Sequence, residues 1–460
     1  MSMLARLSQS NSLIARAVRS SVLTVAGFGA SQLIRLVTNL ILTRLLFPEA
    51  FGLMALVSVV LLGLGQFSDV GIGPSIMQSK RGDDPDFLNT AWTIQAIRGV
   101  LLFVTACALA WPASQIYDAP ELMRLLPVAG LTLLITGFNP TNLESAHRHM
   151  RLGRLTVIDI STQVVGVLIA MALAWWLRSV WALVISGVAS ALFQLWVYRR
   201  FLPGIRNRFR WEPAARHELI RFGKWIFLST VCGFAFSQSD KIILGKYLPL
   251  DAFGVYNIGF FLASFPLMLG SMVNQKVVIP IYRECPPDRS RANFLSLRRM
   301  RMAMTAGLIV LVTLFSASGV WLVDLLYDPR YHAAGAVVVL LALMQIPTVI
   351  QLTYDQAALA AGDSRRFFVL TLARAAFMIA GLLLGLRLGG LFGAILGQGA
   401  ARAAVYPVTV WLARRVGAWD PLHDVIFAGL GLIGAALALW LNHSAIAALL
   451  AGAGAAGISP

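Results

Sequence analysis

Long apolar runs, each closed by a charged or Pro/Gly-bearing turn, follow one another from Val22 to Leu441. A run of about 20 residues crosses the hydrocarbon core of a bilayer as a helix, and half-buried strands would instead alternate residue by residue. The pattern predicts spans over Val22–Leu45, Ala50–Gln78, Leu88–Trp111, a run ending near Leu143, Leu155–Leu177 and Val180–Tyr198. A basic stretch, Arg199–Glu218, then interrupts the series. Further spans are predicted over Leu219–Leu244, Ala252–Tyr282, a run ending near Leu326, Ala333–Tyr354, two helices joined around Arg387–Gly390, and Val425–Leu441. Ala445–Gly457 is apolar but short, so the prediction is 13 or 14 spans.

The pattern repeats. Ile41–Leu53, ILTRLLFPEAFGL, returns 202 residues later as Ile243–Val255, ILGKYLPLDAFGV. Each copy ends an apolar helix on a basic residue, turns through a proline and opens the next helix on an acid, which suits the partial positive charge of a helix N-terminus. Trp196–Arg200, WVYRR, and Trp411–Arg415, WLARR, close the two stretches alike. A repeat of this kind sets the architecture. The expected fold is an all-α polytopic membrane protein made of two six-helix transmembrane bundles related by an internal repeat. The expected divisions are 1–198, a basic cytoplasmic linker 199–218, 219–415, and one or two extra C-terminal helices in 416–460. Gly381, Gly385, Gly389, Gly393 and Gly397 recur every four residues and permit close helix approach.

Composition agrees with a membrane protein: 58% of the 460 residues are hydrophobic, 13% are charged, and mean hydropathy is +0.74. The net charge of +17 does not point to nucleic acid, because the basic residues sit in short loops between apolar runs. With the N-terminus inside, 26 Lys and Arg fall on inner segments and 6 on outer ends, which by the positive-inside rule places the N-terminus in the cytoplasm. The first apolar run is too long, and lacks the cleavage site, for a removed signal peptide. Cys107, Cys232 and Cys285 form no CxxC and imply no disulfide framework.

Six cations fall inside apolar spans: Arg35, Arg98, Lys241, Lys276, Arg374 and Arg402. A charge near the bilayer centre costs at least about 2.5–3.5 kcal/mol, so it faces a cavity or a partner. Asp69 and Asp240 are the most clearly embedded acids. Amides precede these charges by one turn, as in Gln32/Arg35, Gln66/Asp69, Gln95/Arg98, Gln238/Lys241 and Gln398/Arg402, and Asn39 continues the Gln32–Arg35 stripe. Either a water-filled cationic cavity between two bundles or helix-locking ion pairs would account for such faces. Lys241 and Lys276 are close enough to helix ends to snorkel.

Enzyme-like patterns are weak. Gly429-Leu-Gly431-Leu-Ile-Gly434 and Gly452-Ala-Gly454-Ala-Ala-Gly457 fit GxGxxG, but no strand precedes either, so both read as small-residue helix contacts. Asp84-Pro-Asp86 lies in a short polar turn, and His147 and His149 flank an arginine without a third ligand. The expectation is therefore no metal, no cofactor and no catalytic residues.

The two repeat copies, the run Phe67–Gln78 with its Asp69-Val-Gly71, and Ser239–Lys241 followed by Asp251–Tyr256 resemble the polysaccharide flippases of the multidrug/oligosaccharidyl-lipid/polysaccharide superfamily, near the O-antigen and exopolysaccharide exporters. The resemblance covers about residues 22–415. It implies a bacterial inner-membrane transporter that moves a polyprenyl-pyrophosphate-linked oligosaccharide from the cytoplasmic to the outer leaflet. It also implies contact with membrane lipids, with polysaccharide polymerase and export machinery as candidate partners. On this reading Gln32, Arg35, Asn39, Arg98, Lys241, Lys276, Arg374 and Arg402 hold the pyrophosphate, and Asp69 and Asp240 couple an ion. Two alternatives are a multidrug exporter, which calls for an acidic, aromatic cavity, and a polysaccharide polymerase or ligase, which calls for a large external loop.

Overall fold

The structure, a computed structural model, describes residues 13–68, 71–149, 152–354 and 364–455. The described residues contain helices and no strand. Among the described residues eight helices are long and apolar enough to cross a membrane, or up to ten when each of two bent pairs counts as one crossing. The chain is an all-α, multi-pass membrane protein. It divides into two compact units, Met1–Val231 and Cys232–Pro460.

In the first unit α1 (Leu13–Leu45) is followed by α2 (Pro48–Phe67), which starts on Pro48 with Glu49 in its first turn. The pattern predicted one helix through Gln78. Instead α2 stops at Phe67, Gly71 takes a left-handed conformation (φ 66°), and α3 (Ile72–Gln78) begins there. Glycine reaches positive φ at little cost, which makes it the natural pivot of this break. Asp84 caps α4 (Pro85–Ile116), its carboxylate accepting from the Asp86 N–H at 3.0 Å. Gly99 of α4 meets Gly137 of α5 (Leu122–Gly137); a Cβ at Gly99 would lie 2.9 Å from the Gly137 Cα. The chain then bends by 59° into α6 (Asn142–Arg148), where the pattern had continued the span to Leu143. Two further helices, α7 (Leu152–Leu177) and α8 (Trp181–Phe201), complete the series. Paired hydrogen bonds join α1 to α7, from Ser31 Oγ to Gln163 Oε1 (2.6 Å) and from Gln163 Nε2 to the Ser31 carbonyl (3.0 Å).

The basic stretch after α8 packs onto this unit as an extended strap. The N–H groups of Arg208, Arg210 and Glu212 donate to Asn89, Thr93 and Thr90 of α4, at 2.9, 3.0 and 3.1 Å. Phe209 lies against Trp92, and Asn207 pairs with Thr141. Arg81 bridges Asp84 and Glu212. Helix α9 (Pro213–Tyr247) carries the chain into the second unit.

There α10 (Leu250–Ala263) and α11 (Phe265–Val273) meet at a 42° bend just before Pro266. A π-helical turn, Asn274–Val278, leads into α12 (Ile279–Glu284), so the predicted single span 252–282 is broken twice. Next come α13 (Arg291–Ala317), α14 (Gly319–Leu326), the almost wholly buried α15 (Ala334–Leu343) and α16 (Ile346–Gln351). The stretch α17 (Ser364–Ala404) turns at Gly389 and Gly390, the latter at φ 55°. Gly385 then meets Gly393, and Gly381 meets Gly397, so closely that a Cβ at Gly385 would sit 2.1 Å from the Gly393 carbonyl oxygen. The four-residue glycine spacing is thus a helical hairpin, at the joint the sequence predicted. Three helices end the described chain: α18 (Tyr406–Arg415), α19 (Pro421–Leu441) and α20 (His443–Ala455).

Candidate functional site

The embedded charges of the first unit hold structure together at one point and are open at another. Gln32 is buried on α1, Asn39 is half-buried, and Arg35 is exposed together with Leu33 and Val37. Arg98 of α4 spans the break after α2: Nε donates to Ser68 Oγ at 2.8 Å and Nη2 to the Gly65 carbonyl at 2.5 Å. The last carbonyls of a helix lack partners within it, and a guanidinium with its forked donors is suited to satisfy them. Gln95, one turn earlier, donates to the Thr136 and Asn139 carbonyls at the end of α5 (3.2 and 3.4 Å). Asp69 lies outside the described residues.

In the second unit Asp240 is linked to Arg402, and Arg402 shares a cavity with Arg374. Asp240 on α9 is buried and accepts from the Tyr256 hydroxyl at 2.8 Å. Gln398 Nε2 donates to that same hydroxyl at 3.2 Å, and Arg402 Nη2 donates to Gln398 Oε1 at 3.4 Å. Asp240, Tyr256, Gln398 and Arg402 therefore form one hydrogen-bonded relay across α9, α10 and α17. Arg402 also lines a cavity of about 160 Å³ with Arg374, Ser271, Thr348 and Gln351. The guanidinium of Arg374 lies 5.9 Å from the ring of Phe236, another lining residue. Gln351 is fixed in turn by Thr409, whose hydroxyl donates to Gln351 Oε1 at 2.7 Å. Lys241 is not part of the group: its ammonium donates to Gln238 (3.2 Å) and sits 5.0 Å over the Phe260 ring. Lys276 belongs to the π-helical turn, and its side chain lies outside the described ones.

Sequence reading found Asp240, Gln398 and Arg402 separately and held Tyr256, which joins them, only as the end of the run Asp251–Tyr256, with no role at the site. No local signal marks Tyr256, because its partners stand 16 and 142 residues away.

Outside the membrane-spanning helices, charge pairs fix the loops. The His149 imidazole and Arg148 hold the Asp83 carboxyl below the usual carboxylate range, and Arg81 does the same for Asp84. Burial would push the Asp420 carboxyl up, but bidentate hydrogen bonds from Arg298 (2.5 Å each) and the His423 N–H leave it below that range. Among the described residues no group of three His, Cys, Asp or Glu could hold a metal ion.

Comparison with known proteins decides the family. Residues 41–336 match the family model described as polysaccharide biosynthesis protein. The chain belongs to this polysaccharide biosynthesis protein family. Its relatives include the succinoglycan biosynthesis transport protein ExoT of Rhizobium meliloti (strain 1021), 25% identical over 282 residues, which are 60% of this chain and 55% of ExoT. The lipopolysaccharide biosynthesis protein WzxC of Escherichia coli (strain K12) is 23% identical over 270 residues, 57% of this chain and 54% of WzxC. The chain thus matches little more than half the length of either relative. In fold it is similar to the lipid II flippase MurJ in an inward closed conformation, with a TM-score of 0.70 at 10% identity over 93% of this chain and 98% of that one. It is also similar to the inward-facing form of a multidrug resistance MATE family transporter of the MOP superfamily, with a TM-score of 0.63 at 15% identity over 84% and 95% of the two chains.

Proposed function

We propose that this family member is a flippase that moves a polyprenyl-pyrophosphate-linked oligosaccharide across a bacterial inner membrane, N-terminus in the cytoplasm, for exopolysaccharide, capsule or O-antigen synthesis. The observation that carries the reading is the pair Arg374 and Arg402 on the wall of one small cavity inside the apolar part of the second unit. Two cations in a poorly hydrated cavity repel one another, and an anion relieves that repulsion while accepting their hydrogen bonds. Pyrophosphate presents several oxygens to such donors, and guanidinium groups match them bidentately. Ser271, Thr348 and Gln351 add neutral polar groups to the same wall. Arg35, exposed on α1, is a second contact for the cargo, and Arg98 is assigned to the helix break it bridges.

The same cavity disfavours the organic cations of a multidrug exporter, which call for acids and aromatic faces. The relay gives the second unit a link between cargo and ion: an anion drawn to Arg402 weakens its hold on Gln398, and through Tyr256 this changes the surroundings of Asp240. Asp240 and Asp69 are the ion-coupling candidates of this reading, and bundle rocking supplies alternating access.

The test uses the full chain in proteoliposomes with isolated lipid-linked repeat units on one side. Translocation that depends on the protein, and that competes with pyrophosphate-bearing lipid but not with organic cations, supports the reading. Protein-dependent efflux of an organic cation without movement of the lipid-linked sugar refutes it.

A further inference from the structure

A second buried polar cluster stands apart from that cavity, at the start of α19. His423 is fully buried, and Asp424 beside it is 5% exposed. His423 Nδ1 is 2.8 Å from Asp424 Oδ1, and Nε2 is 2.9 Å from Thr305 Oγ1 on α13. Asp424 also accepts from the Tyr354 hydroxyl on Oδ1 and from the Tyr406 hydroxyl on Oδ2, each at 2.7 Å. Around this core, Arg298 of α13 is bound to Asp420. Arg301 of the same helix donates to the Ala418 carbonyl and the Tyr282 hydroxyl, and lies 4.4 Å from the Tyr354 ring. The Phe427 ring covers His423 at 4.9 Å. With a neutral imidazole the two arginines balance the two aspartates.

We propose that His423 and Asp424 form a proton-binding site of the second unit. The partners of the imidazole suit both of its states. When it is neutral, Nδ1–H donates to Asp424 and the Thr305 hydroxyl donates to Nε2. When a proton is added, Nε2–H donates to Thr305, whose hydroxyl rotates to accept. A hydroxyl can do either, whereas a backbone carbonyl in its place would fit only one state. Proton uptake thus costs no hydrogen bond, and the added charge faces a carboxylate already held in place by two tyrosines. Asp424 and Tyr406 also line an apolar cavity of about 550 Å³ between α15–α16, the end of α17 and α19. A change of charge on His423 therefore acts on the helices that wall that cavity. The use of this proton in transport rests on the flippase reading; the site itself does not.

The test is nitrogen NMR of histidine-labelled full-length protein in liposomes, with the His423 signals identified by their loss in His423→Gln. The expected result is conversion of His423 from neutral imidazole to imidazolium on acidification of the folded protein. One unchanged protonation state over the whole pH range in which the protein stays folded overturns the proposal. Thr305→Val should alter the Nε2 signal in both states and Thr305→Ser should restore it; an Nε2 signal indifferent to Thr305→Val also overturns it. In proteoliposomes His423→Gln should reduce the stimulation of translocation by an imposed pH gradient, and an unchanged stimulation removes the site from the transport cycle. A wild type whose His423 titrates but which moves no lipid-linked sugar under any gradient refutes the flippase reading and supports the proton site alone.

Discussion

Arg98 in the first unit and Arg402 in the second carry the same mark in sequence: each is an embedded cation one helical turn after a glutamine. Their surroundings differ. Arg98 spends its donors at 2.5 and 2.8 Å on a broken helix, and Gln95 spends its amide on the end of α5. The Arg402 guanidinium makes long hydrogen bonds among the described residues, at 3.4 Å to the Met344 carbonyl and to Gln398, and its glutamine passes the connection on to Tyr256 and Asp240. An amide–cation pair at helical spacing therefore says that a polar face exists, and not whether that face holds the protein together or meets a ligand. The contact lengths separate the two cases: short bonds to a neighbouring helix end, at the Ser68 hydroxyl and the Gly65 carbonyl, leave less for a ligand, whereas long bonds beside a cavity can be exchanged.

That contrast can be broken in several ways. The largest effect is expected at Arg402. Arg402→Ala should lower the initial rate of lipid-linked sugar translocation on the order of tenfold or more, the scale of one lost charge-assisted contact, and Arg374→Ala should do the same. Arg402→Lys should fall between them and wild type, because an ammonium keeps the charge and loses the fork. Arg98→Ala should instead cost about 2 kcal/mol of stability, since it removes the charge-assisted bonds to the Gly65 carbonyl and the Ser68 hydroxyl at the α2 end; thermal unfolding in detergent measures this. Gln398→Leu should separate Arg402 from Tyr256 while sparing the cavity wall. Its expected result is near-normal translocation without a gradient and a weaker response with one, read in the same vesicles.

The smallest effect belongs to the strap. The Asp83 and Asp84 carboxyls are held below the usual range by His149, Arg148 and Arg81. Their contribution is present above the ordinary carboxylate pKa of about 4 and is lost as the pH falls through their lower folded values. Protection of the Arg208, Arg210 and Glu212 amides against hydrogen exchange, taken relative to the intrinsic rate at each pH, should fall in that acid window and stay level between neutral and mildly alkaline pH. Glu212→Gln should lower that protection slightly at neutral pH, where the carboxylate would otherwise pair with Arg81.

Much of the fold was legible because apolar run length and turn chemistry are local. The glycines from Gly381 to Gly397 announced a close contact, and the hairpin supplies it. The break at Gly71 was missed although Ser68 and Gly71 form a stop-like sequence, because apolar residues resume at Ile72 and hide the interruption. The apolar run begins at Val425, which puts His423 and Asp424 in a loop, whereas the helix begins at Pro421. Asp420 followed by Pro421 is a helix-start signal, a cap residue before a proline at the first position, and it would have placed both inside α19. The partners of an embedded charge were not legible at all: Tyr256 and Gln398 are 142 residues apart and meet only through the fold.

The most direct measurement compares Arg98→Ala and Arg402→Ala in one preparation, recording translocation rate in proteoliposomes and unfolding midpoint in detergent for each. The account predicts that Arg402→Ala loses rate at an unchanged midpoint, and that Arg98→Ala loses midpoint and keeps the rate of its folded fraction. Full rate in Arg402→Ala, together with a lost rate at an unchanged midpoint in Arg98→Ala, would contradict it.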